Sequence, residues 1–341
     1  MALFAEFEKK LGTFVLKVKL DLKDETIALL GASGSGKSLT LQCIAGIHKP
    51  DRGKIVLDGV TLFDSEKGID LPPQKRQVGL LFQNYALFPH MTVLQNIAAG
   101  ARRNGSMEAV QEIMERFELT KLADRYPRQL SGGEQQRTAL ARILVSAPRI
   151  LLLDEPFSAL DSHLRFRLQQ DLLLMTKEFG KTVILVSHDR DEAFRLANAI
   201  AVIDHGEIKT AGEKHRVFAD PKTKAAALLT GCKNISCAEQ IDEETVFAAD
   251  WGVSLKISGC HAAYVGVRMH HIQYGPGENA VRCCVVEEME NPFSVTVLLA
   301  PVSGKGTVPL AWELDKDQWQ KIRAEEVEIH LPADAILLLG E

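Results

Sequence analysis

The feature that most restricts the fold is a glycine-rich octapeptide, Gly31-Ala32-Ser33-Gly34-Ser35-Gly36-Lys37-Ser38, set directly after the apolar run Ile27 to Leu30. The residues beyond it, Ser38 to Ala45, read as a helix with Gly46 just past its end. Strand, glycine loop and helix in that order make a phosphate-binding loop. Glycines let the backbone curl until successive N–H groups point inward, and the helix turns its positive end toward the same anion. Lys37 is placed to add a point charge for the β and γ phosphates of ATP, and Ser38 to offer a hydroxyl to Mg²⁺.

Two further apolar runs end in polar residues of matching chemistry. Ile150 to Leu153 leads into Asp154-Glu155, and Val183 to Val186 leads through Ser187 into His188. In an open parallel sheet, ligands sit beyond the carboxyl ends of the strands, so these side chains are expected beside the phosphate loop. Asp154 is placed to hold Mg²⁺ through water, Glu155 to polarise the attacking water, and His188 to hydrogen-bond the γ-phosphate. Pro156 breaks the chain away and keeps the carboxylates at the strand end.

With Gln83 and Leu130-Ser131-Gly132-Gly133-Glu134-Gln135, these residues resemble the ATP-binding cassette family over about Leu3 to Leu229. The resemblance implies a homodimer in which Ser131, Gly132 and Gly133 cap a helix aimed at the γ-phosphate held by the other copy, so that ATP is sandwiched. It implies that Gln83 contacts Mg²⁺ or the attacking water and senses a membrane partner, and that Ser158-Ala159-Leu160-Asp161 couples the two sites. Phe14 is the best match to the family's adenine-stacking aromatic, with Phe7 nearby. Leu39 stands where many relatives carry Thr, leaving the hydroxyl of Ser38 in place. Permease subunits and, through them, an extracytoplasmic substrate-binding protein follow as expected partners.

Leu11 to Phe14, Asp64 to Pro73 and Leu87-Phe88-Pro89-His90 resemble the ATPase subunits of bacterial molybdate importers, the last as a docking surface for the permease. A sulfate, tungstate or polyamine importer would need almost the same ATPase. A soluble cassette ATPase outside transport and an anion-responsive regulator are the rivals from other classes.

The domain reading is an α/β P-loop NTPase of cassette type over 1–231, with a helical subdomain inserted at about 92–147, followed by a β-rich regulatory domain over 232–341. Ile27–Leu30, Val78–Phe82, Ile150–Leu153 and Val183–Val186 read as central strands buried on both faces. Met107 to Phe117 carries helical spacing, and Lys222 to Leu229 is expected as the domain's last helix. Beyond Cys232, the runs Val253–Ile257, Ala263–Val267, Val281–Val286, Val295–Leu299 and Val327–Leu331, separated by turn residues, suggest a small barrel-like domain of the kind seen in this importer class (TOBE or MOP-like). Such domains bind the transported oxyanion in some relatives, and Ser294 or Lys305 would be the contacts here.

A net charge of −5 gives no reason to expect a nucleic-acid partner, and no apolar run reaches the length of a membrane span. With no signal layout in Met1 to Lys10, the expected place is the cytoplasmic face of the cell membrane, peripheral. The six cysteines show no zinc spacing and read as small buried hydrophobes.

Overall fold

A computed structural model describes residues 2–101, 106–157, 162–257, 262–304 and 306–341. The chain separates into two compact units, Met1–Lys214 and His215–Glu341.

The first unit is organised by one sheet. Its strands in chain order are β1 (Leu3–Leu11), β2 (Phe14–Leu22), β3 (Thr26–Leu30), β4 (Arg52–Leu57), β5 (Val60–Asp64), β6 (Ile69–Asp70), β7 (Val78–Leu81), β8 (Ile150–Asp154), β9 (Val183–Ser187), β10 (Ala199–Asp204) and β11 (Glu207–Glu213). Among the described residues they lie in the order β6-β5-β4-β1-β2-β11-β10-β3-β9-β8-β7. The run β10-β3-β9-β8-β7 is parallel. β3, β8 and β9 are buried at every residue, as continuous apolar runs covered on both faces must be. Their carboxyl ends therefore finish side by side.

Val78–Leu81 departs from its expected place. It is the edge strand of the parallel run, with alternating half-buried residues, and it stops one residue short of Phe82. An edge strand keeps one side open, which a short apolar run does not reveal.

The antiparallel wing was legible but not taken up in the sequence reading. β1 and β2 pair from Leu3↔Leu22 to Leu11↔Phe14 around Gly12, whose φ of +60° suits a glycine in a tight turn. Period-two alternation buries Leu3, Ala5 and Phe7 on one strand and Leu16, Val18, Leu20 and Leu22 on the other. Phe7 thus belongs to the core.

Helices α1 (Lys37–Ala45), α2 (Val93–Ala101), α3 (Met107–Arg116), α4 (Gly132–Leu144), α5 (Ser162–Phe179) and α6 (Arg190–Leu196) complete the unit. The expected helical insertion is present. Val93, Ile97, Val110, Met114 and Leu119 form its own small core, with Ala141 and Val145 from the region of α4. The opposite face of α4 sends Ala139, Leu140 and Ile143 against Leu81, Leu151 and Leu172. One helix thereby locks the insertion to the sheet. Gly100 permits this approach, since a Cβ there would stand 2.0 Å from the Arg142 carbonyl oxygen.

In the second unit, α7 (Lys214–Ala219) and α8 (Lys224–Leu229) precede two five-stranded sheets. α8 begins at Lys224 rather than Lys222, because Thr223 caps it, its hydroxyl accepting from the Ala226 N–H, and Lys222 takes φ +64°. This helix was expected to close the first domain, yet it is tied to later residues. Lys224 N–H donates to Gly340 O, the buried Arg268 donates to Thr230 O at 2.7 Å, and Ala227 packs on Cys232 and Leu339.

The sheets comprise β12 (Asn234–Gln240), β13 (Thr245–Ala248), β14 (Val253–Lys256), β15 (Tyr264–Val267), β16 (Gln273–Tyr274), β17 (Ala280–Glu290), β18 (Ser294–Pro301), β19 (Leu310–Asp315), β20 (Glu326–His330) and β21 (Ile336–Leu339). Their orders are β14-β13-β12-β15-β21 and β16-β20-β17-β18-β19, with α9 (Lys316–Ile322) following β19. A shared core includes Trp251, Trp312 and Trp319. The Asn234 side chain of β12 bonds both the N–H and the C=O of Ala311 in β19, joining one sheet to the other. Cys43, Cys232 and Cys283 are buried, with burial pushing their thiols up to about 12, 11 and 12 respectively, so they remain protonated; Cys237 is exposed, and Cys260 lies outside the described residues.

Candidate active site

The phosphate loop leaves β3 and enters α1 in a shape only these residues permit. Gly34 and Gly36 take φ of +79° and +107°. A Cβ on Gly31 would stand 2.5 Å from Ile203 O and 2.6 Å from Ser35 Oγ. Ser35 N–H donates to Ala32 O, and Ser35 O accepts from Gly206 N–H, so the hairpin between β10 and β11 braces the loop.

Two polar groups in this loop suit an anion. Ser35 Oγ is buried with no hydrogen bond, and an orphaned hydroxyl there carries a desolvation cost that a bound oxyanion would relieve. Lys37, 5% exposed, donates from Nζ to the carbonyls of Gly31 at 2.8 Å and Ala32 at 2.7 Å. Burial holds the ammonium below the ordinary lysine range, opposed by the nearby carboxylates of Glu155 and Asp154. It is a desolvated cation folded back onto its own loop.

The expected acidic and amide groups converge on the same place. Ser38 Oγ donates to Asp154 Oδ1 at 2.8 Å. Gln83 Nε2 lies 3.5 Å from Glu155 Oε2, and His188 Nδ1 lies 3.4 Å from Glu155 Oε1. Glu155, at φ +44°, is thus flanked by Gln83 on one side and His188 on the other. Its backbone N–H donates to Val186 O, which ties the ends of β8 and β9 together.

A cleft of about 570 Å³ is lined by Ser33, Gly34, Gly36, Lys37, Ser38, Leu39, Gln83 and Glu155, with Phe14 in its wall. Leu11, which the sequence offers only within the stretch Leu11 to Phe14, also lines it, as do Gln42 and His48, which were not singled out from sequence. Gln42 follows Ser38 by one helical turn, which is the signal that would have found it. The Phe14 ring tip lies 3.2 Å from where a Gly36 Cβ would be, and part of Phe14 packs on the core.

Burial pushes the Asp154 carboxyl above the usual carboxylate range. Glu155 pushes the same way, and the Ser38 hydrogen bond and Lys37 oppose it. The raised folded-state value means that the ionised form is disfavoured by folding, so Asp154 costs stability above its folded pKa and nothing below its unfolded one. Asp154→Asn, which can still accept from Ser38, is therefore expected to raise the melting temperature at pH 7, with the gain vanishing at acidic pH. Calorimetry across pH checks this; a lowered melting temperature at pH 7 would contradict it.

The hydroxyl of Ser38, the carboxylate of Asp154 and the amide of Gln83 offer oxygen donors of the kind Mg²⁺ prefers. The residues fit that ion.

Ser131, Gly132 and Gly133 do not line this cleft. Ser131 caps α4. Its hydroxyl accepts from Glu134 N–H at 3.4 Å, and the Glu134 carboxylate reaches back to Ser131 N–H at 2.7 Å. Asp161 and the rest of Ser158–Asp161 lie outside the described residues, as does Lys305. Ser294 donates its hydroxyl to Glu313 at 2.8 Å, and a carboxylate there would repel an oxyanion.

Beyond Gln83 the chain is held stiffly. Tyr85 and Ala86 take positive φ, and Arg142 donates to both carbonyls while its guanidinium lies 5.1 Å from the Phe88 ring centre. Asn96 bonds the N–H and C=O of Phe88, a residue that stays 41% exposed.

Comparison with known proteins agrees with this geometry. The family model described as ABC transporter matches residues 16–158. The trehalose/maltose import ATP-binding protein MalK of Thermococcus litoralis is 36% identical over 317 residues, covering 86% of this chain and 85% of that protein. The chain belongs to the ABC transporter family. As an ABC-type ATPase it binds and hydrolyses ATP.

The molybdenum import ATP-binding protein ModC of Paramagnetospirillum magneticum is 39% identical over 219 residues, covering 63% of this chain and 60% of that protein. Relatives named for sulfate/thiosulfate and polyamine transport align at 37% to 43%. A dimeric structure of the ATP-binding cassette MJ0796 bound to ADP and Pi superposes with a TM-score of 0.53 at 31% identity, covering 63% of this chain and 99% of that one. No helix among the described residues of the ABC ATPase is long and apolar enough to cross a membrane.

Proposed function

We propose that this ABC ATPase is the energising subunit of an importer, acts as a homodimer on permease subunits at the cytoplasmic face of the membrane, and serves an oxyanion cargo, molybdate. The observation that carries the hydrolytic part is the convergence of Gln83 and His188 on Glu155, which with Gln83 lines the cleft that holds Lys37 and Ser38.

Phosphate oxygens replace the carbonyls of Gly31 and Ala32 as partners of Lys37. They also accept from the loop N–H groups and the hydroxyl of Ser35. Glu155 takes a proton from the attacking water as the water oxygen bonds to the γ-phosphorus and the bond to the β–γ bridging oxygen breaks, and that proton leaves with the products, ADP and phosphate. His188 and Gln83 hold the water and the γ-phosphate in line. Ser38 and Gln83, with Asp154 through water, would hold Mg²⁺, which would supply charge neutralisation at the phosphates.

The helix-capping residues Ser131 to Gly133 stand apart from the chain's own cleft, which supports completion of the site by a second copy. Their N–H groups and the positive end of α4 suit a γ-phosphate. The exposed Phe88, held by Asn96 and following Gln83 closely in the chain, suits a permease contact, so that docking and the position of Gln83 change together.

The cargo reading rests on the resemblance of Leu11 to Phe14, Asp64 to Pro73 and Leu87 to His90 to molybdate importers. Asp64 and Asp70 within them are occupied in scaffolding: Asp64 accepts from Glu66 and Lys67 N–H, and Asp70 pairs with the buried Arg76 at 2.9 Å. Cargo choice is thus assigned to the partner chains. In cells carrying the native chain or Glu155→Gln, labelled molybdate uptake is expected to collapse in the variant and to be competed poorly by sulfate. Unchanged uptake, or full competition by sulfate or a polyamine, would remove molybdate as the cargo.

A further inference from the structure

The turn that carries His188 is closed by a side chain with no part in the chemistry above. Ser187 Oγ donates to Glu192 Oε2 at 2.8 Å and accepts from Asp189 N–H at 2.9 Å, so the residues on either side of His188 are bonded to each other. Asp189 Oδ1 then accepts from Asp191 and Glu192 N–H, capping α6 and returning the chain to Glu192. His188 itself is 60% exposed along its side chain, so its aim depends on this turn.

Glu192 is 7% exposed, and burial pushes its carboxyl above the usual range, with the Ser187 hydrogen bond opposing. A carboxylate buried on a seven-residue helix is costly, and an apolar side chain of similar volume would cost less. Its other oxygen faces α5. Gln169 Nε2 donates to Glu192 Oε1 at 3.2 Å, Arg195 donates to Gln169 Oε1 at 3.2 Å, and Arg165 Nε lies 3.9 Å from Glu192 Oε1.

We infer that Glu192 is a positioning residue for His188, acting through the hydroxyl of Ser187, with Gln169 extending that hold to α5. This rests on the reading of His188 as a γ-phosphate contact. A carboxylate that accepts from both Ser187 and Gln169 fixes the turn relative to the helix that follows β8, so His188 and Glu155 keep their register.

The test compares Glu192→Ala, Ser187→Ala, Ser187→Thr and His188→Ala in the full chain, reading kcat, ATP affinity and melting temperature. Glu192→Ala and Ser187→Ala are expected to lower kcat by ~10- to 100-fold with ATP affinity unchanged, the scale of a misplaced reacting group. Ser187→Thr, which keeps the hydroxyl, is expected to stay near native. His188→Ala reports on the underlying reading alone: full turnover there would remove His188 from the chemistry. Lost turnover in His188→Ala beside native kcat in Ser187→Ala would overturn the role of Glu192. Equal losses in Ser187→Ala and Ser187→Thr would overturn it as well. Should Glu192→Ala fail to fold, the Ala and Thr variants of Ser187 decide.

Discussion

Lys37→Ala is expected to abolish tight ATP binding while leaving the fold intact. In the free protein the ammonium is buried and bonded only to two carbonyls of its own loop. Those hydrogen bonds partly offset its desolvation, and they are exchanged for charged phosphate oxygens when ATP arrives. Charge-assisted hydrogen bonds contribute about 1.5–3 kcal/mol each, so losing contacts to two phosphates costs about 3–6 kcal/mol, or ~10²- to 10⁴-fold in affinity. Without ATP the variant loses the two carbonyl hydrogen bonds together with the desolvation cost of the buried ammonium, so its melting temperature is expected to change little. Lys37→Arg is not a conservative exchange here, because a planar fork does not fit where a compact ammonium is enclosed. Calorimetric titration with ATP checks both variants; unchanged affinity in Lys37→Ala would contradict the phosphate assignment.

Glu155→Gln is expected to separate binding from hydrolysis. Glutamine has the same length and can keep the neighbours Gln83 and His188 in reach, and the backbone bond to Val186 O does not depend on the side chain. Only the acceptor strength of the carboxylate is lost. A positioned general base is worth ~10²- to 10⁴-fold in rate, so turnover should fall by that order with ATP still bound. A large loss of ATP affinity in this variant would show that Glu155 instead holds the phosphate loop in place.

The ordered run from Gly31 to Ser38 and the strands ending at Asp154 and Ser187 were legible because full burial writes itself as unbroken apolar sequence. Their convergence follows from parallel pairing, which sets Leu30 beside Ser187 and Asp154 beside Val186. The insertion of α2 to α4 was legible from helical spacing. β1 and β2 alternate plainly on either side of the turn at Gly12, so their hairpin was legible, but nothing local announces that β1 also pairs with the distant β4. The edge position of Val78–Leu81 was hidden for the same reason. α8 reads as the close of the first domain because nothing near it in sequence announces Arg268 or Gly340. Glu192 looks like an ordinary acid in a helix's first turn until Ser187 and Gln169 are seen to meet it. Ser294 looked available to an anion until its hydroxyl proved to donate to Glu313 of the neighbouring strand β19.

The most direct measurement is phosphate release at saturating ATP by the native chain and by Glu155→Gln, with bound nucleotide quantified in the same samples. Release by the native chain alone, with comparable ATP bound to both, is the predicted result. Equal release from both would place the hydrolytic group elsewhere and contradict the site described here.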